Sequence, residues 1–421
     1  MFFNKESGVI ALMSVIVIII AMVTVGMALT NMIISQHKIS GALIKSAQSF
    51  YASESGIEDG LVRLYRVMPY ASSYTLFLAS STAQVEIVDN VGNAKKITSR
   101  GITLRAIKKL EAVFEINADK VDFFYGAQAG DGGIVMKNGS RIKGNVFSNG
   151  SIIGSGNIDN NAIVARNGNQ IQGLNIGENA MAYSCQNCVI GKDLTYVQGG
   201  ILNNCAVGGS TFVRTDEIPP ENMPILQEQI DKWKVEAEAG GITNVNVAIN
   251  GSQSLGPAQI GTIASPKNLT VSNGAQLTIT GTIFVTGNIL IDNNATVELD
   301  SSHYGASGGI LMASGGIVVN NNVILRGSGQ LGSYLLILSE SASLDEVNPA
   351  ILVRNNAQGA IFYTSQGLIV LNNNMSAREV TGYKVQINNN AEVQYEAGLA
   401  SSFFTSGTGG SWKVTQWREI K

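Results

Sequence analysis

Three cysteines, two histidines and a scatter of acidic residues are the groups in this 421-residue chain that could do chemistry. Cys185 and Cys188 form a C-x-x-C pair, a spacing with which thiolates grip zinc. A structural zinc site wants four ligands, however, and both histidines, His37 and His303, lie far away in sequence. Glycoside hydrolysis needs two carboxyl groups facing each other across roughly 5–9.5 Å. The acids here are Asp216 with Glu217, Asp292, Glu298 with Asp300, and Glu340 with Asp345; they fall near turns and insertions, not in a recurring acidic pattern. No catalytic residue, metal site or cofactor site emerges, and a non-enzymatic protein is the expectation.

Composition narrows the partners. Only 14% of residues are charged and the net charge is −3, so no basic stripe exists to neutralise a run of phosphates and nucleic acid is not an expected partner. Lys95, Lys96, Arg105, Lys108 and Lys109 are the nearest approach to a basic cluster, and the solvated face of a hairpin accounts for them. Asn-x-Ser/Thr triplets at Asn138, Asn149, Asn250, Asn268 and Asn374 read as turn chemistry before they read as glycosylation sites.

The elements that carry these groups begin at the N-terminus. Behind a polar leader, residues 1–8, runs an uncharged apolar segment, 9–34, longer than the ~20 residues a helix needs to cross ~30 Å of hydrocarbon. It is too long for the ~7–15-residue apolar part of a signal peptide, and no small-residue cleavage site follows it. The helical pattern continues past it: Ile39, Leu43, Ala47, Phe50, Ile57, Leu61 and Leu64 recur at helical spacing, and the first proline is Pro69. A single helix over 9–66 would be about 87 Å long. Lys5 and Glu6 before the span and His37, Lys38 and Lys45 after it leave its orientation undetermined by charge.

Residues 67–122 change register. Apolar and polar residues alternate in QVEIVD (84–89), KKITS (95–99) and KKLEAVFEIN (108–117), with a turn at Val91-Gly92-Asn93, predicting a small antiparallel sheet. From 123 to 421 the chain becomes repetitive. Asn138-Gly139, Asn160-Asn161, Asn273-Gly274, Asn293-Asn294, Asn321-Asn322, Asn355-Asn356, Asn373-Asn374 and Asn389-Asn390 each precede alternating aliphatics. A second phrase recurs as GNVFSNGSI (144–152), GTIFVTGNI (281–289) and, with two residues inserted, GAIFYTSQGLI (359–369). Such recurrence predicts stacked coils of about 16–20 residues, a parallel, right-handed β-helix of about a dozen coils. A β-sandwich would give hairpin turns without these phase-locked phrases.

The same register puts Cys188 and Cys205, seventeen residues apart in matching N-C-x-x-G phrases, at one place on successive coils. Either a disulfide or two stacked free thiols would fit there. A helical insertion is expected at 216–241, with Pro224 in its first turn, a stripe of Ile225, Leu226, Ile230, Trp233 and Ala237, and Gly240-Gly241 as its stop. It would lie on the solenoid's flank or cover an open end. Trp412, Val414, Trp417 and Ile420 are expected to close the last coil.

The leader, glycine, long apolar helix and the downstream YASESGIEDGLVRLYR together resemble the N-terminal module of PilX-type minor pilins and the K-type minor pseudopilins of type II secretion. The resemblance rests on Gly8 and Val9 and on Tyr51, Ala52, Glu54, Gly56 and Glu58, and it covers roughly 70 residues. It implies cleavage by prepilin peptidase at the Gly8–Val9 bond. It further implies single-pass residence in the bacterial inner membrane and assembly with other pilin subunits through the helix. Display on an extracellular filament, with a surface glycan or a neighbouring cell as ligand of the head, would follow. Most pilins carry a glutamate at the fifth mature position; here that residue is Met13, as in K-type subunits that sit at a filament tip. The order of the segments 123–134, the inserted helix and the C-terminal GSWKVTQWREI also resembles the large exported domains of some PilX-like proteins. Arg141-Ile142-Lys143 resembles the R-I-K element of polygalacturonases, but the accompanying G-H-G and paired-aspartate elements are missing.

Three readings follow. A minor pilin would display the β-helix for assembly or adhesion and would begin at Val9 when mature. A membrane-tethered scaffold would polymerise through uncapped coil ends and keep its leader. A carbohydrate-active enzyme would show a groove of converging acids.

Overall fold

In the computed structural model, the residues described are 5–65, 71–89, 94–116, 119–405 and 412–420. The chain divides into two compact units. One holds the N-terminal helix, the antiparallel strands after it and the last strand; the other is the stretch between 116 and 413.

The absence of proline before residue 69 lets one helix, α1 (Lys5–Tyr65), run for 61 residues, about 90 Å at the α-helical rise. Its two halves differ. From Leu12 to Ile34 the apolar side chains are exposed all round. Further on, Ser49, Ala52, Ser53, Gly56, Ile57 and Gly60 form a buried face. Of the expected stripe, Ile57 and Leu64 are buried while Ile39, Leu43 and Ala47 are exposed, and small residues supply the rest of the packing face.

That face lies on an antiparallel sheet of β1 (Ser73–Leu78), β2 (Ser81–Asp89), β3 (Lys95–Thr103) and β4 (Ala106–Ile116), completed by the C-terminal strand Trp412–Ile420 beside β4. A Cβ at Gly56 would meet Ser99 Oγ at 2.2 Å and Val85 at 2.9 Å, so helix and sheet meet nearly backbone to backbone. Arg63 Nε and Tyr74 OH both donate to Asp59 Oδ2, at 2.7 and 2.6 Å, pinning the helix to β1. The expected strands are present, β1 in addition; the turn expected at Val91-Gly92-Asn93 and the first proline, Pro69, lie outside the described residues.

The C-terminal strand corrects the expected domain boundary. Trp412–Ile420 does not close a coil; it pairs in the small sheet, with Arg418 Nε donating to Glu111 Oε1 at 2.9 Å and Lys108 Nζ bound to Glu419 Oε1 at 2.5 Å. The physical reason is charge and alternation: Arg418 and Glu419 find opposite charges on β4. The coiled region is therefore an insertion between the fourth and fifth strands of an antiparallel sheet.

The insertion is a parallel β-helix with three faces. One coil runs Val146–Ser148, Ile152–Gly154 and Asn157–Ile158; the next, Ala162–Val164, Gln170–Gln172 and Asn175–Ile176, lies in parallel register on it. Inward columns such as Ile134, Ile152, Ile171 and Cys185 are fully buried. Each such aliphatic stabilises by ~1.5–3 kcal/mol.

The corners explain the asparagines. At Gly139, Gly274, Asn294, Asn322, Asn356, Asn374 and Asn390 the backbone is left-handed, with φ between 56 and 74°. Asparagine and glycine tolerate that region, other residues poorly. Their amides form a ladder: Asn294, Asn322 and Asn356 each donate to the asparagine one coil before, at 3.1–3.2 Å. Asn160-Asn161 sits at another corner, where Asn145, Asn161 and Asn179 make a separate ladder at 2.9 Å. The two inserted residues of GAIFYTSQGLI appear as a register shift between Thr364 and Leu368.

The order of winding is not the order of the sequence. The chain joins the stack at Ala127–Met136 and winds to one end at Thr211–Arg214. It then returns as a strap and starts again at the far end with Ile242–Thr243. From there it winds back until Glu379–Ile387 and Glu392–Gln394 pair in parallel with Ala127–Met136 and Arg141–Lys143. At this seam Val385 faces Ile134 and Val393 faces Ile142, all buried. Two windings meet there as if they were one.

The strap holds the arrangement. Asn149 exchanges hydrogen bonds with Glu221 backbone, at 2.8 and 3.0 Å, and Tyr363 OH donates to Ile225 O at 2.9 Å. Helix α2 (Gln227–Ala239) then buries Ile230, Trp233 and Ala237 among Phe284, Ile310, Met312 and Tyr363. It covers the flank, not an end. Of the expected stripe, Leu226 alone is exposed.

Candidate functional site

The residues singled out for chemistry are dispersed and structurally engaged. Asp300 caps a short helix and accepts from Ser302 N and His303 N, and its Oδ1 lies 2.6 Å from His303 Nδ1. Burial alone would raise its carboxyl, but the hydrogen bonds from Ser302 and His303 hold it below the usual value. Asp292 accepts from Asn320 Nδ2 at 2.9 Å and Asn293 N at 2.8 Å, which lower it likewise. Glu217 accepts from Asn167 N, Glu298 from Gln276, Glu340 from Lys234, and Asp345 from Val347 N. Arg141 grips Asp159 with two bonds of 2.8 and 2.9 Å. No group of three or more metal-binding side chains occurs among the described residues.

Cys188 and Cys205 occupy neighbouring coils, Ala206 N donating to Cys188 O at 2.8 Å, while Cys185 faces Leu202. All three thiols are free. Burial pushes the Cys185 thiol well above the ordinary thiol range and raises that of Cys188, which disfavours the thiolate at both.

A recess of about 410 Å³ opens beside the loop 327–333, with Arg378, Glu396 and Tyr334 in its wall. Its charges are already matched: Arg378 pairs with Glu396, and Tyr334 OH donates to Glu396 Oε2 at 3.1 Å.

Glu379 and Tyr304 carried no sequence signal, and of the strap only its helix did. Glu379 is wholly buried, with Oε2 unpartnered and Oε1 accepting from Thr381 at 2.5 Å. Burial pushes its carboxyl well above the ordinary range, against the Thr381 hydrogen bond. Periodicity could flag it only as a glutamate at an outward position, indistinguishable from a solvated one.

The surface with an evident use is the first half of α1. It is long and apolar enough to cross a membrane, and its apolar stretch is unburied. Thr24 and Thr30 turn their hydroxyls back onto Ala21 O and Gly26 O, each at 2.8 Å, so neither offers lipid an unpaired donor. The Gly8–Val9 bond lies in the first turns of α1, and Met13 is exposed one turn later. In the second half Ala52 and Gly56 pack on the sheet, whereas Tyr51 and Glu58 are exposed and Glu54 is half-buried.

Compared with known proteins, no family matches the sequence, and no curated protein does. Among solved structures, the competence-associated pilin ComZ from Thermus thermophilus matches with a TM-score of 0.24 and 12% identity, over 89% of this chain and 97% of that one. A superposition that loose carries no argument by itself.

Proposed function

We propose that the chain is a pilin-like subunit of a type IV pilus or related filament, anchored by α1 and displaying the β-helix as an exported head. One observation carries the reading. A single unbroken helix is bare and apolar over its first half and seated on an antiparallel sheet through Ser49, Ala52, Ser53, Gly56, Ile57 and Gly60 over its second. The bare half is stable in only two settings, lipid or a bundle of like helices, and movement from one to the other is the assembly step of such filaments. No catalytic group of this chain is needed for it. Met13 brings no carboxylate to that bundle, which favours a minor, tip-associated subunit. The head would act in filament initiation or in adhesion to a glycan or neighbouring cell. Before assembly the chain would sit in the bacterial inner membrane with prepilin peptidase as its processing partner.

Mass spectrometry of the N-terminus in the producing cell tests this reading. A chain beginning at Val9 that co-purifies with sheared filaments is expected. Retention of Met1 in a chain that stays with the membrane would overturn it.

A further inference from the structure

The two ends of the solenoid are unpaired edges, and both are poor in the devices that normally protect a sheet edge. At one end Leu202–Asn203, Ala206–Val207 and Thr211–Arg214 pair on one side only among the described residues. At the other the same holds for Ile242–Thr243, Val247–Ile249 and Ser252–Leu255. Natural edges are blunted by charges, prolines or a covering segment. Here the six end strands carry one charged side chain between them, Arg214 at the last residue of its strand. The coils between are different: Arg141–Asp159, Lys143–Glu392 and Lys192–Glu178 all carry ion pairs. Ile201, Phe212 and Val213 are more than half exposed at the first end, and Ile242 and Val245 are exposed at the second.

We infer that the head docks end to end with a second copy of this chain, the 194–214 end of one on the 242–255 end of the next. The seam inside the molecule is the precedent. There the last coil of one winding meets the first coil of another with no chain continuity, in parallel register, through Val385 on Ile134 and Val393 on Ile142. The outer ends offer the same geometry. The inward column that begins at Val247 and Leu269 finishes at Cys185 and Leu202, so Val247 of a second copy set on Leu202 extends it by one step. Only unlike ends keep the strands parallel; like ends would force an antiparallel, two-fold contact. The chain leaves one end at Arg214 and enters the other at Ile242, in both cases through the strap, whose helix is packed on the flank. The inference does not depend on incorporation into a filament.

Cross-linking of the full chain in detergent tests it. One preparation carries Cys205→Ser with Asn203→Cys, the other Cys205→Ser with Ala248→Cys; both new thiols replace exposed residues. In the docked pair they fall on neighbouring strands, about 4.8 Å apart, within the ~4.4–6.8 Å a disulfide spans. Mild oxidation should give a disulfide dimer from the mixture and from neither preparation alone. A dimer from Asn203→Cys alone would mean like ends meet, and no dimer from the mixture would mean the ends do not meet; either overturns the inference. Adding Thr211→Lys to the first preparation should abolish the dimer with an unchanged far-ultraviolet spectrum, and a dimer that survives it also counts against the proposal.

Discussion

Gly101 on β3 is the point where the helix comes closest to the sheet. A Cβ there would lie 1.9 Å from Ser49 O and 2.5 Å from Ser53 N, both backbone atoms of α1, whereas ordinary contact begins at 3.4 Å. Gly101→Ala therefore forces the helix back by about 1.5 Å, the difference between 3.4 and 1.9 Å. A gap of ~0.5–1 Å already forfeits a quarter to a half of a dispersion contact. Ile57, Val85 and Ile97 are buried at this interface, and at ~1.5–3 kcal/mol per buried side chain, halving their contribution costs about 2–4 kcal/mol. Hydrogen exchange of the full chain in detergent, read by mass spectrometry over residues 46–65, measures it. At about 3 kcal/mol those amides should exchange roughly a hundredfold faster. Gly41→Ala is the control: its Cβ meets nothing within 4 Å, and it should strengthen the helix by about 1 kcal/mol. Unchanged protection over 46–65 in Gly101→Ala would refute the close seating of helix on sheet.

Three further outcomes follow from the solenoid. Glu379 has a raised carboxyl in the folded chain, with Thr381, Tyr363 and Tyr395 facing it, so its contribution is fully present below its ordinary value of 4.5 and is lost as pH rises through the raised one. Glu379→Gln should match the parent in thermal melts near pH 4.5 and exceed it increasingly toward pH 8. Trp233→Ala removes the fully buried anchor of the strap, costing ~3–5 kcal/mol, and limited proteolysis should then cut first within 215–241. Oxidation of the folded chain with diamide should join Cys188 to Cys205 and leave Cys185 alkylatable after unfolding; peptide mapping that finds a Cys185–Cys188 bond would contradict the stacking.

Much of this was legible because the signals were periodic. The left-handed corners at Asn294, Asn322 and Asn356 accept few residue types, so the repeat had to write itself in asparagine and glycine. The apolar run of α1 was equally plain. Topology was not, because a strand carries its pleat in its sequence and its partner nowhere. Trp412–Ile420 alternates as well for a coil as for the small sheet, and only the pairing of Arg418 with Glu111 and of Lys108 with Glu419 separates the two. Nor does any residue announce that the coil ending at Gln394 meets the one beginning at Ala127. The residues at that seam, Val380, Val385 and Val393, are the same aliphatics that fill every other coil.

That sameness has a structural consequence. A solenoid wound in one pass would carry the chain in at one end and out at the other, and the β4 and Trp412–Ile420 strands, which are neighbours in one sheet, could not both lead into it directly. Starting in the middle solves this: the winding goes out to Arg214, returns through the strap, restarts at Ile242 and comes home to Gln394, one coil from where it began. The cost is a long strap, which must be held by its own contacts, and Trp233, Tyr363 and Asn149 supply them. The gain is that a head of about a dozen coils inserts between two adjacent strands of a small sheet without separating them. At both solenoid ends the connection is the strap, whose helix lies along the flank.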